Sequence, residues 1–434
     1  MNASNYNGGE NFNLRDVLLA GHKMKLDERA EFFAQFINQL NENNESLYMR
    51  QIDTAADREV VIIDPITGER KNMLMFGSNN YLGLANHPYV KSNVKEAIDQ
   101  FGIGIGGPPL LNGYTSLHKK LEERLAKLKH TEDAILFSSG YNANVGLLTA
   151  LLNKNDLVLY DEFSHASFAD GLHMSKARAI SFKHNNVDEL EKLLLQNQNC
   201  TGDIYVGVEG VYSMDGDLSP LNLIAPLCKK FNAKLIVDDA HGTGVMGLFG
   251  GGTAEHFGVE HLVDITMGTF SKAFGVVGGF VSASKEIVNY LRFFARSHMF
   301  SAALPPTVVA AVIAGIDVIE NDVELSQQLW SNVDYAVRRI NENGISAETE
   351  SAIIALRVPS EMNIRQAALQ FHQAGVFVNS IEYPAVPVNQ QRFRISIIAT
   401  HTKQDIDTLV ETIEEIWKRF DVLKTDFVML NEKE

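Results

Sequence analysis

Short apolar runs alternate with helix-like segments between residues 134 and 267 of this 434-residue chain, and this alternation restricts the fold more than any other feature. Apolar runs of strand length separated by helical segments are typical of βαβ units, whose strands lie parallel. The sequence therefore predicts an α/β fold with a mainly parallel central sheet. The predicted strands are Ala134–Phe137, Asp156–Tyr160, Arg178–Phe182, Ile204–Glu209, Leu235–Val237 and Ile265–Met267.

Two polar residues, Asp238 and Lys272, follow the last two of these strands. Ligands bind at the carboxyl ends of the strands in an open parallel sheet, so both side chains are expected at a binding edge. A buried carboxylate needs a cation or strong donors, and the N–H of a pyridinium ring is one such partner. A lysine shielded from water, with the hydroxyls of Thr269 and Ser271 beside it, can form a Schiff base. Taken singly, Asp238 could be a helix-capping aspartate and Lys272 a surface lysine. Together the two residues predict a pyridoxal-phosphate (PLP) site.

The bulk properties of the chain narrow the class of protein and its location. A formal net charge of −16 argues against a nucleic-acid-binding protein, which normally presents a basic face. The two cysteines, Cys200 and Cys228, fit a reducing compartment. No basic and apolar leader opens the sequence, and the longest apolar run, Thr307–Ile316, is far shorter than the roughly 20 residues that span a bilayer. The sequence thus predicts a cytoplasmic protein without a transmembrane segment, and peripheral membrane contact stays open.

Three stretches of the chain resemble the α-oxoamine synthases, PLP enzymes that condense an amino acid with an acyl thioester and release carbon dioxide. They are Glu209–Asp217, Lys234–Gly244 and Ile265–Gly279, within a resemblance that covers about Phe76 to His401. The Gly-Thr-Phe-Ser-Lys and Val-Gly-Gly-Phe sequences and the Phe300–Pro306 segment are most similar to those of serine palmitoyltransferases. The resemblance implies fold type I of the PLP-dependent transferases, with a large domain and a smaller C-terminal α/β domain.

The chain is predicted to have three parts, namely an N-terminal helix with short strands (1–75), a large PLP-binding domain (76–304) and a small C-terminal domain (305–434). Residues 1 to about 15 are polar, which predicts disorder, and helical periodicity follows from Leu14 to Leu40. Pro305 and Pro306 interrupt the chain before the small domain. The remaining predicted elements are strands Val60–Ile63 and Met73–Phe76, helix Ser116–Lys129, helices Thr307–Ile319 and Val323–Glu342, and strands Ile353–Arg357, Val376–Asn379 and Phe393–Ile397.

The resemblance also implies roles for the catalytic residues. Lys272 forms the Schiff base and moves the substrate α-proton, and Asp238 holds the ring nitrogen of the cofactor. His165 stacks on the ring, and His241 bonds the ring oxygen. No metal is expected, because Asp215–Asp217 lacks the longer ligand run of a calcium loop. A helix N-terminus presents free N–H groups to a phosphate, and the full set of predicted cofactor contacts is Ser139, Gly140, Tyr141, His165, Ser213, Asp238, His241, Thr269, Ser271 and Lys272.

The predicted substrate contacts are Asn80, Tyr81 and Arg394. Strand alternation is expected to expose Arg394 on one face, where a lone arginine is usually a solvated side chain. The resemblance implies that Arg394 instead holds the substrate carboxylate, because a planar guanidinium can donate two hydrogen bonds to it. Pro108 and Pro109 stand where the family usually carries a small hydroxylic residue and an arginine. Glu382 stands where serine palmitoyltransferases carry an arginine. These departures leave the identity of the amino acid open.

The reaction implied by the resemblance is decarboxylative condensation of a small amino acid, with L-serine favoured, and a long-chain acyl thioester. The donor would be an acyl-CoA or an acyl carrier protein, and the product a 3-keto long-chain amine for sphingolipid-type synthesis, made by a homodimer. The nearer alternative is another amino acid, such as cysteate for a sulfonolipid precursor, or glycine or alanine for 2-amino-3-ketobutyrate or 8-amino-7-oxononanoate synthesis. The more distant alternative is a catalytically silent partner subunit, which the presence of Lys272 and Asp238 disfavours.

Overall fold

The computed structural model describes residues 14–359 and 362–420. The disorder predicted for residues 1 to about 15 concerns a segment that lies outside them, except for its last two residues, which belong to a helix that begins at Leu14. Within the described residues the strands form three sheets, with seven, four and three strands. No helix among these residues has the length and apolar character to cross a bilayer.

The N-terminal part of the chain completes a sheet with a strand from the C-terminal part. Helical periodicity predicted over Leu14–Leu40 belongs to two helices, because the chain turns at residues 22–25. The last strand of this N-terminal part pairs in parallel with residues 376 and 377. It therefore joins the N-terminal part of the chain to the C-terminal part. The elements of this part are α1 (Leu14–Gly21), α2 (Leu26–Glu42), β1 (Gln51–Ile52), β2 (Glu59–Ile63) and β3 (Arg70–Met75).

The seven-stranded sheet is the centre of the large part of the chain. Its helices and strands are α3 (Pro88–Phe101), α4 (Ser116–Leu128), β4 (Asp133–Phe137), α5 (Gly140–Leu151), β5 (Leu157–Asp161), α6 (Ala166–Ser175), β6 (Arg178–Phe182), α7 (Val187–Gln196), β7 (Ile204–Glu209), α8 (Leu221–Lys230), β8 (Lys234–Asp238), α9 (Thr253–Phe257), β9 (Ile265–Thr269), β10 (Gly279–Ala283), α10 (Lys285–Phe294) and α11 (Arg296–Met299). The strand order is β4-β10-β9-β8-β7-β5-β6. Strands β5 to β9 pair in parallel, so the predicted mainly parallel sheet is confirmed.

Strand β10 is antiparallel to both of its neighbours, and the sequence analysis did not predict it. Its five residues, Gly-Phe-Val-Ser-Ala, contain two small residues and one glycine, so they lack the continuous apolar run of the other central strands. All five residues are nevertheless buried, and β10 is an interior strand of the sheet, paired with β4 on one side and β9 on the other.

Four polar residues lie at the carboxyl ends of the parallel strands, and the sequence analysis selected two of them, Asp238 and Thr269. Asp161 ends β5, Glu209 ends β7, Asp238 ends β8 and Thr269 ends β9. Glu209 and Asp238 are directly paired in register on neighbouring strands. The sheet therefore gathers these side chains along one edge, as expected for an open α/β sheet.

The C-terminal part begins with a buried helix that packs on the large part of the chain. The elements are α12 (Pro306–Asn321), α13 (Val323–Glu342), β11 (Ile353–Arg357), α14 (Ile364–Gln373), β12 (Val376–Phe377), β13 (Asn379–Ile381), β14 (Arg392–Ser396) and α15 (Lys403–Arg419). The strand predicted over Val376–Asn379 is divided, because the chain passes at Val378 from one sheet to another. Strand β12 pairs with β3, and β13 pairs with β14 in the three-stranded sheet. The division of the chain at residues 76 and 305 stays a proposal.

Candidate active site

Lys272 lies on the loop between β9 and β10, at the carboxyl edge of the central sheet. The Phe270 N–H donates to the Gly278 carbonyl at 2.9 Å and closes this loop. Gly278 has a φ of +125°, and an added Cβ would lie 2.7 Å from the Phe270 ring, so only glycine fits there. Burial lowers the pKa of Lys272 to about 8, although the carboxyls of Asp238 and Glu209 oppose this shift. A substantial fraction of the amine is therefore neutral near pH 8, as a nucleophile requires.

Asp238 ends β8 with a carboxylate that is 5% exposed. Its Oδ2 accepts a hydrogen bond from Asn144 Nδ2 at 2.7 Å, and its Oδ1 accepts one from the Ala240 N–H at 3.2 Å. Burial raises the pKa of Asp238, while the Lys272 charge and the Asn144 bond act in the opposite direction. The hydrogen bonds from Asn144 and from the Ala240 N–H stabilise the ionised form of Asp238 in the interior.

Glu209 is a second buried carboxyl group beside Asp238. Burial is the largest cause of a pKa far above the ordinary glutamate value, and the nearby charge of Asp238 is the next. Its Oε1 has no hydrogen-bond partner among the described residues, whereas Asp238 has a donor on each oxygen. We therefore assign the proton to Glu209 and the negative charge to Asp238. From the sequence, Glu209 was recognised only as the first residue of the motif Glu209–Asp217, and no role in the site was predicted for it.

His165 is the N-terminal capping residue of α6 and is exposed at the edge of the site. Its Nδ1 accepts a hydrogen bond from the Ser167 N–H at 3.2 Å and lies 2.7 Å from Ser167 Oγ. Because Nδ1 is an acceptor, the neutral ring carries its proton on Nε2. Local desolvation lowers the pKa of His165, with Asp238 opposing and Lys272 adding to the shift, so the ring is neutral at pH 7.

Tyr81 connects His241 to Arg394 through its buried hydroxyl. The Tyr81 hydroxyl lies 2.8 Å from His241 Nδ1, and Arg394 Nη2 donates to the same hydroxyl at 3.3 Å. The guanidinium can only donate, and the other acceptor near the hydroxyl, Asn79 Oδ1, is farther away at 3.3 Å. The tyrosine proton is therefore assigned to the shorter bond with Nδ1, which leaves the His241 proton on Nε2. Burial lowers the pKa of His241 well below its ordinary value, and the charges of Lys272 and Arg394 lower it further. The group predicted to bond the ring oxygen is thus a neutral N–H donor.

Arg394 is buried, and the prediction that strand alternation exposes it is wrong. Strand β14 lies between β11 and β13, so both of its edges are paired, and all five of its residues are buried, so both of its faces are covered. Arg394 Nη1 donates to Asn79 Oδ1 at 2.9 Å and its Nε donates to the Ser213 carbonyl. The predicted contact of Ser213 with the cofactor stays a prediction.

Asn79, which the sequence analysis passed over, is the asparagine that contacts Arg394. Asn79 is half-buried, whereas Asn80 is buried and its Oδ1 accepts from the Ala85 N–H at 3.2 Å. Two adjacent asparagines in a loop offer no periodicity that would show which one faces the site. The predicted substrate contact of Asn80 stays a prediction, and the geometry adds Asn79 as a candidate.

A hydroxyl-rich recess lies at the N-terminus of α5. Ser139 caps the helix, with its side chain accepting from the Asn142 N–H at 3.1 Å. A Cβ added to Gly140 would lie 2.9 Å from Thr269 Cβ, so glycine allows the helix to approach the end of β9. Thr269 Oγ1 and Ser271 Oγ are 3.0 Å apart at this place. Thr269 Oγ1 donates to the Gly278 carbonyl at 2.9 Å, so the donors that suit a phosphate here are the free N–H groups of the helix and the Ser271 hydroxyl. The remaining member of the predicted set, Tyr141, bonds Asp170 through its exposed hydroxyl, so only its backbone is available here.

His184 binds the segment that carries His165 to the loop that carries Ser213. Its Nδ1 lies 3.1 Å from Asp161 Oδ1 and its Nε2 lies 2.7 Å from Asp217 Oδ2. The Phe163 ring stacks on the imidazole with 4.2 Å between centroids. Burial alone would lower the pKa of His184, but the two carboxylates outweigh it and raise the pKa to about 9. The sequence analysis did not select this residue, since a histidine after a strand has no distinctive pattern.

The charge on His184 predicts a pH-dependent stability. The folded pKa is about 9 and the ordinary value is 6.5, so its contribution is fully present below pH 6.5 and is lost as the pH rises through 9. We expect the melting temperature of His184→Gln to lie several degrees below that of the unsubstituted chain at pH 6 and to approach it at pH 10. Thermal denaturation at both pH values checks this, with the exposed His173→Gln as the control. An equal difference at both pH values would contradict the assignment.

Among the described residues, no group of three His, Cys, Asp or Glu side chains is placed to hold a metal ion.

Comparison with known proteins decides the family to which the chain belongs. The family model for class I and II aminotransferases matches residues 71–413. The chain belongs to the aminotransferase class I and II family.

Relatives within this aminotransferase family narrow the class further. The chain is 39% identical over 386 residues to a serine palmitoyltransferase of Bacteriovorax stolpii, which covers 89% of this chain and 90% of the relative. It is 38% identical over 392 residues to an 8-amino-7-oxononanoate synthase of Lysinibacillus sphaericus, covering 90% of this chain and 99% of the relative. The solved serine palmitoyltransferase of Sphingomonas wittichii superposes with a TM-score of 0.84 at 33% identity, covering 90% of this chain and 98% of that one. The α-oxoamine synthase resemblance and the type I fold are confirmed, and the chain is a PLP-dependent acyltransferase.

The residues present fit PLP, the cofactor of this family. Asp238 offers a buried carboxylate to the ring nitrogen, and Lys272 offers an amine with a lowered pKa. His241 offers a neutral N–H to the ring oxygen. The glycine-lined N-terminus of α5, against Thr269, offers donors to the phosphate. Each polar group of the cofactor thus has a complementary group in the site, and these assignments remain proposals.

Proposed function

We propose that this chain condenses a small amino acid, with L-serine favoured, with a long-chain acyl thioester and releases carbon dioxide. The single observation that carries the proposal is the buried Arg394 guanidinium, which is linked through Tyr81 to His241. A buried cation next to the cofactor site suits a carboxylate-bearing substrate. The proposed product is a 3-keto long-chain amine of the sphingolipid type.

The residues of the chain have distinct tasks in this reaction. Arg394 and Asn79 bind and orient the substrate carboxylate, which remains in place until it leaves as carbon dioxide. Lys272 takes the proton from the substrate Cα, helped by the lowered pKa of its amine. Asp238 keeps a proton at the ring nitrogen, and PLP when bound supplies the electron sink for the carbanion. Neutral His165 and His241 hold the ring without repelling its positive charge.

Glu382 does not oppose this proposal, although it replaces an arginine of the serine palmitoyltransferases. Its Oε2 accepts from Arg365 Nε at 3.0 Å, and its Oε1 accepts from the Tyr48 hydroxyl at 3.2 Å. The carboxylate is therefore bound between the N-terminal and C-terminal parts of the chain, and Arg365 neutralises its charge. Alanine, glycine or cysteate remains the second candidate substrate, because the 8-amino-7-oxononanoate synthase relative is 38% identical.

We also propose that the chain acts as a homodimer, in the cytoplasm, with acyl-CoA or an acyl carrier protein as donor. Support for a dimer comes from five large apolar side chains that are exposed, since contiguous apolar surfaces usually mark interfaces. These side chains are Ile103, Leu111, Val277, Phe293 and Phe300. The Ala303 N–H donates to the Gly107 carbonyl, so the segment that carries Phe300 lies beside the segment that carries Ile103 and Leu111.

Arg394→Lys tests the proposed role of the guanidinium. Lysine keeps the charge but loses the planar pair of donors, so we expect the apparent affinity for serine to fall by about 1–3 kcal/mol, with the thioester requirement unchanged. Titration of serine, cysteate, glycine and alanine against the cofactor absorbance measures this and ranks the amino acids. Arg392→Lys is the matched control two residues earlier, because Arg392 is bound to Asp215. Loss of amino-acid affinity in the Arg392 variant alone would place the carboxylate at the other arginine.

A further inference from the structure

A buried chain of hydrogen bonds joins Asp238 to His165 across two helices. Asn144 Nδ2 donates to Asp238 Oδ2 at 2.7 Å and to Ser167 Oγ at 2.9 Å. Ser167 Oγ in turn lies 2.7 Å from His165 Nδ1. Asn144 and Ser167 are at most 1% exposed, so water does not compete for these bonds.

The close packing of α5 and α6 makes the connection between them. Asn144 lies on α5, and Ser167 lies in the first turn of α6. A Cβ added to Gly171 of α6 would lie 2.7 Å from Leu148 Cδ1 and 3.3 Å from the Asn144 carbonyl oxygen, so glycine lets the helices approach. The short distance between the helices allows a side chain as small as serine to reach the amide.

The direction of every hydrogen bond between Asp238 and His165 follows from the ionised state of Asp238. The ionised carboxylate can only accept, so the amide must present its nitrogen and not its oxygen to Asp238. Both amide hydrogens are then used, one on Asp238 and one on Ser167 Oγ. The Ser167 hydroxyl accepts from Asn144, and its own proton is directed at His165 Nδ1. A proton on Nδ1 would therefore meet two donors, the Ser167 hydroxyl and the Ser167 N–H.

The amide orientation has an unfavourable consequence that the protein tolerates. Asn144 Oδ1 is buried and has no hydrogen-bond partner among the described residues. An unsatisfied buried polar atom costs about 1–3 kcal/mol, and such atoms are rare in folded proteins. The loss is offset by the two donated bonds, of which one goes to a charged group.

We propose that Asn144, acting through Ser167, is a positioning residue that fixes His165 as the Nε2–H tautomer and couples its orientation to the ionised state of Asp238. A ring held in this form presents a neutral face to the cationic ring of the cofactor. It also cannot take the proton that Asp238 keeps at the ring nitrogen. The inference rests on the proposed function only in that it takes His165 and Asp238 as the groups that hold the cofactor.

The test is the tautomer of His165 in Ser167→Ala and Asn144→Ala, read from ¹⁵N shifts of histidine-labelled full-length protein with and without PLP. In the unsubstituted chain we expect Nδ1 to give the shift of an unprotonated nitrogen and Nε2 that of a protonated one, from pH 6 to 8. In both variants the two shifts should move toward a common average, because Nδ1 can then carry the proton for part of the time. The double variant should show no larger shift than the greater single change, since both residues act through one chain.

Two control substitutions distinguish a positioning role of Asn144 and Ser167 from a role in helix packing alone. Ser175→Ala on α6 and Thr149→Ala on α5 remove hydroxyls that bond only backbone groups, and should leave the His165 shifts unchanged. Unchanged tautomer shifts in Ser167→Ala and Asn144→Ala, with lowered melting temperature alone, would overturn the proposal. If Asn144→Ala fails to fold, Ser167→Ala alone decides. The measurement needs no amino acid or thioester, so it stands or falls separately from the proposed reaction.

Discussion

Lys272→Ala is expected to leave no measurable condensation activity. The substitution removes the amine that attaches the cofactor and the base that takes the substrate proton, and loss of a general base alone lowers rates by about 10²–10⁴-fold. The protein should still fold, because the side chain adds little to the core. Product analysis by mass spectrometry with serine and palmitoyl-CoA measures the effect, and the absorbance of the lysine-bound cofactor should disappear in parallel.

Lys285→Ala is the control for this substitution, since Lys285 is an exposed lysine at the start of α10. It should retain the activity and the absorbance of the unsubstituted chain. Near-normal condensation by Lys272→Ala would show that another amine does the chemistry. Because the loop that carries Lys272 is closed by its own main-chain bonds, a loss of activity with an unchanged melting temperature isolates the missing amine.

Asp238→Asn should keep PLP bound but reduce turnover by orders of magnitude. An amide cannot hold the proton at the ring nitrogen, so the ring no longer withdraws electrons from the substrate Cα. Bound PLP is measured after dialysis, and turnover is measured with saturating serine. The Asn144 donor remains, and it can bond the new amide oxygen, so folding should be preserved.

Glu209→Gln is the informative comparison, because Glu209 is the neutral member of the carboxyl pair. A glutamine resembles a protonated glutamic acid in shape and charge, so the variant should retain most of its turnover. If instead Glu209→Gln is as inactive as Asp238→Asn, the charge is shared or lies on Glu209. That result would reverse the proton assignment at the edge of the sheet.

The sequence predicted the positions of the strand ends better than the contacts made there. Asp238 and Lys272 could be predicted because each follows an apolar run, and in a parallel sheet position along the chain determines the edge on which a residue lies. Arg394 was misplaced because alternation describes a strand with one open face, whereas β14 is covered on both faces by tertiary packing. Residues such as Asn144 and Ser167 are found only through distances between two helices, and no local pattern records those distances.

The pairing of β3 with β12 has a consequence for the order in which the protein forms during synthesis. Residue 74 lies beside residue 376, so about 300 residues must leave the ribosome before the four-stranded sheet can close. The seven-stranded sheet needs only residues 133–283 and can form while the rest is still being made. Until then β3 keeps an unpaired edge, and edges of this kind attract other chains. The edge of β3 is thus the part of the four-stranded sheet that stays open to other chains until residues 376 and 377 have been made.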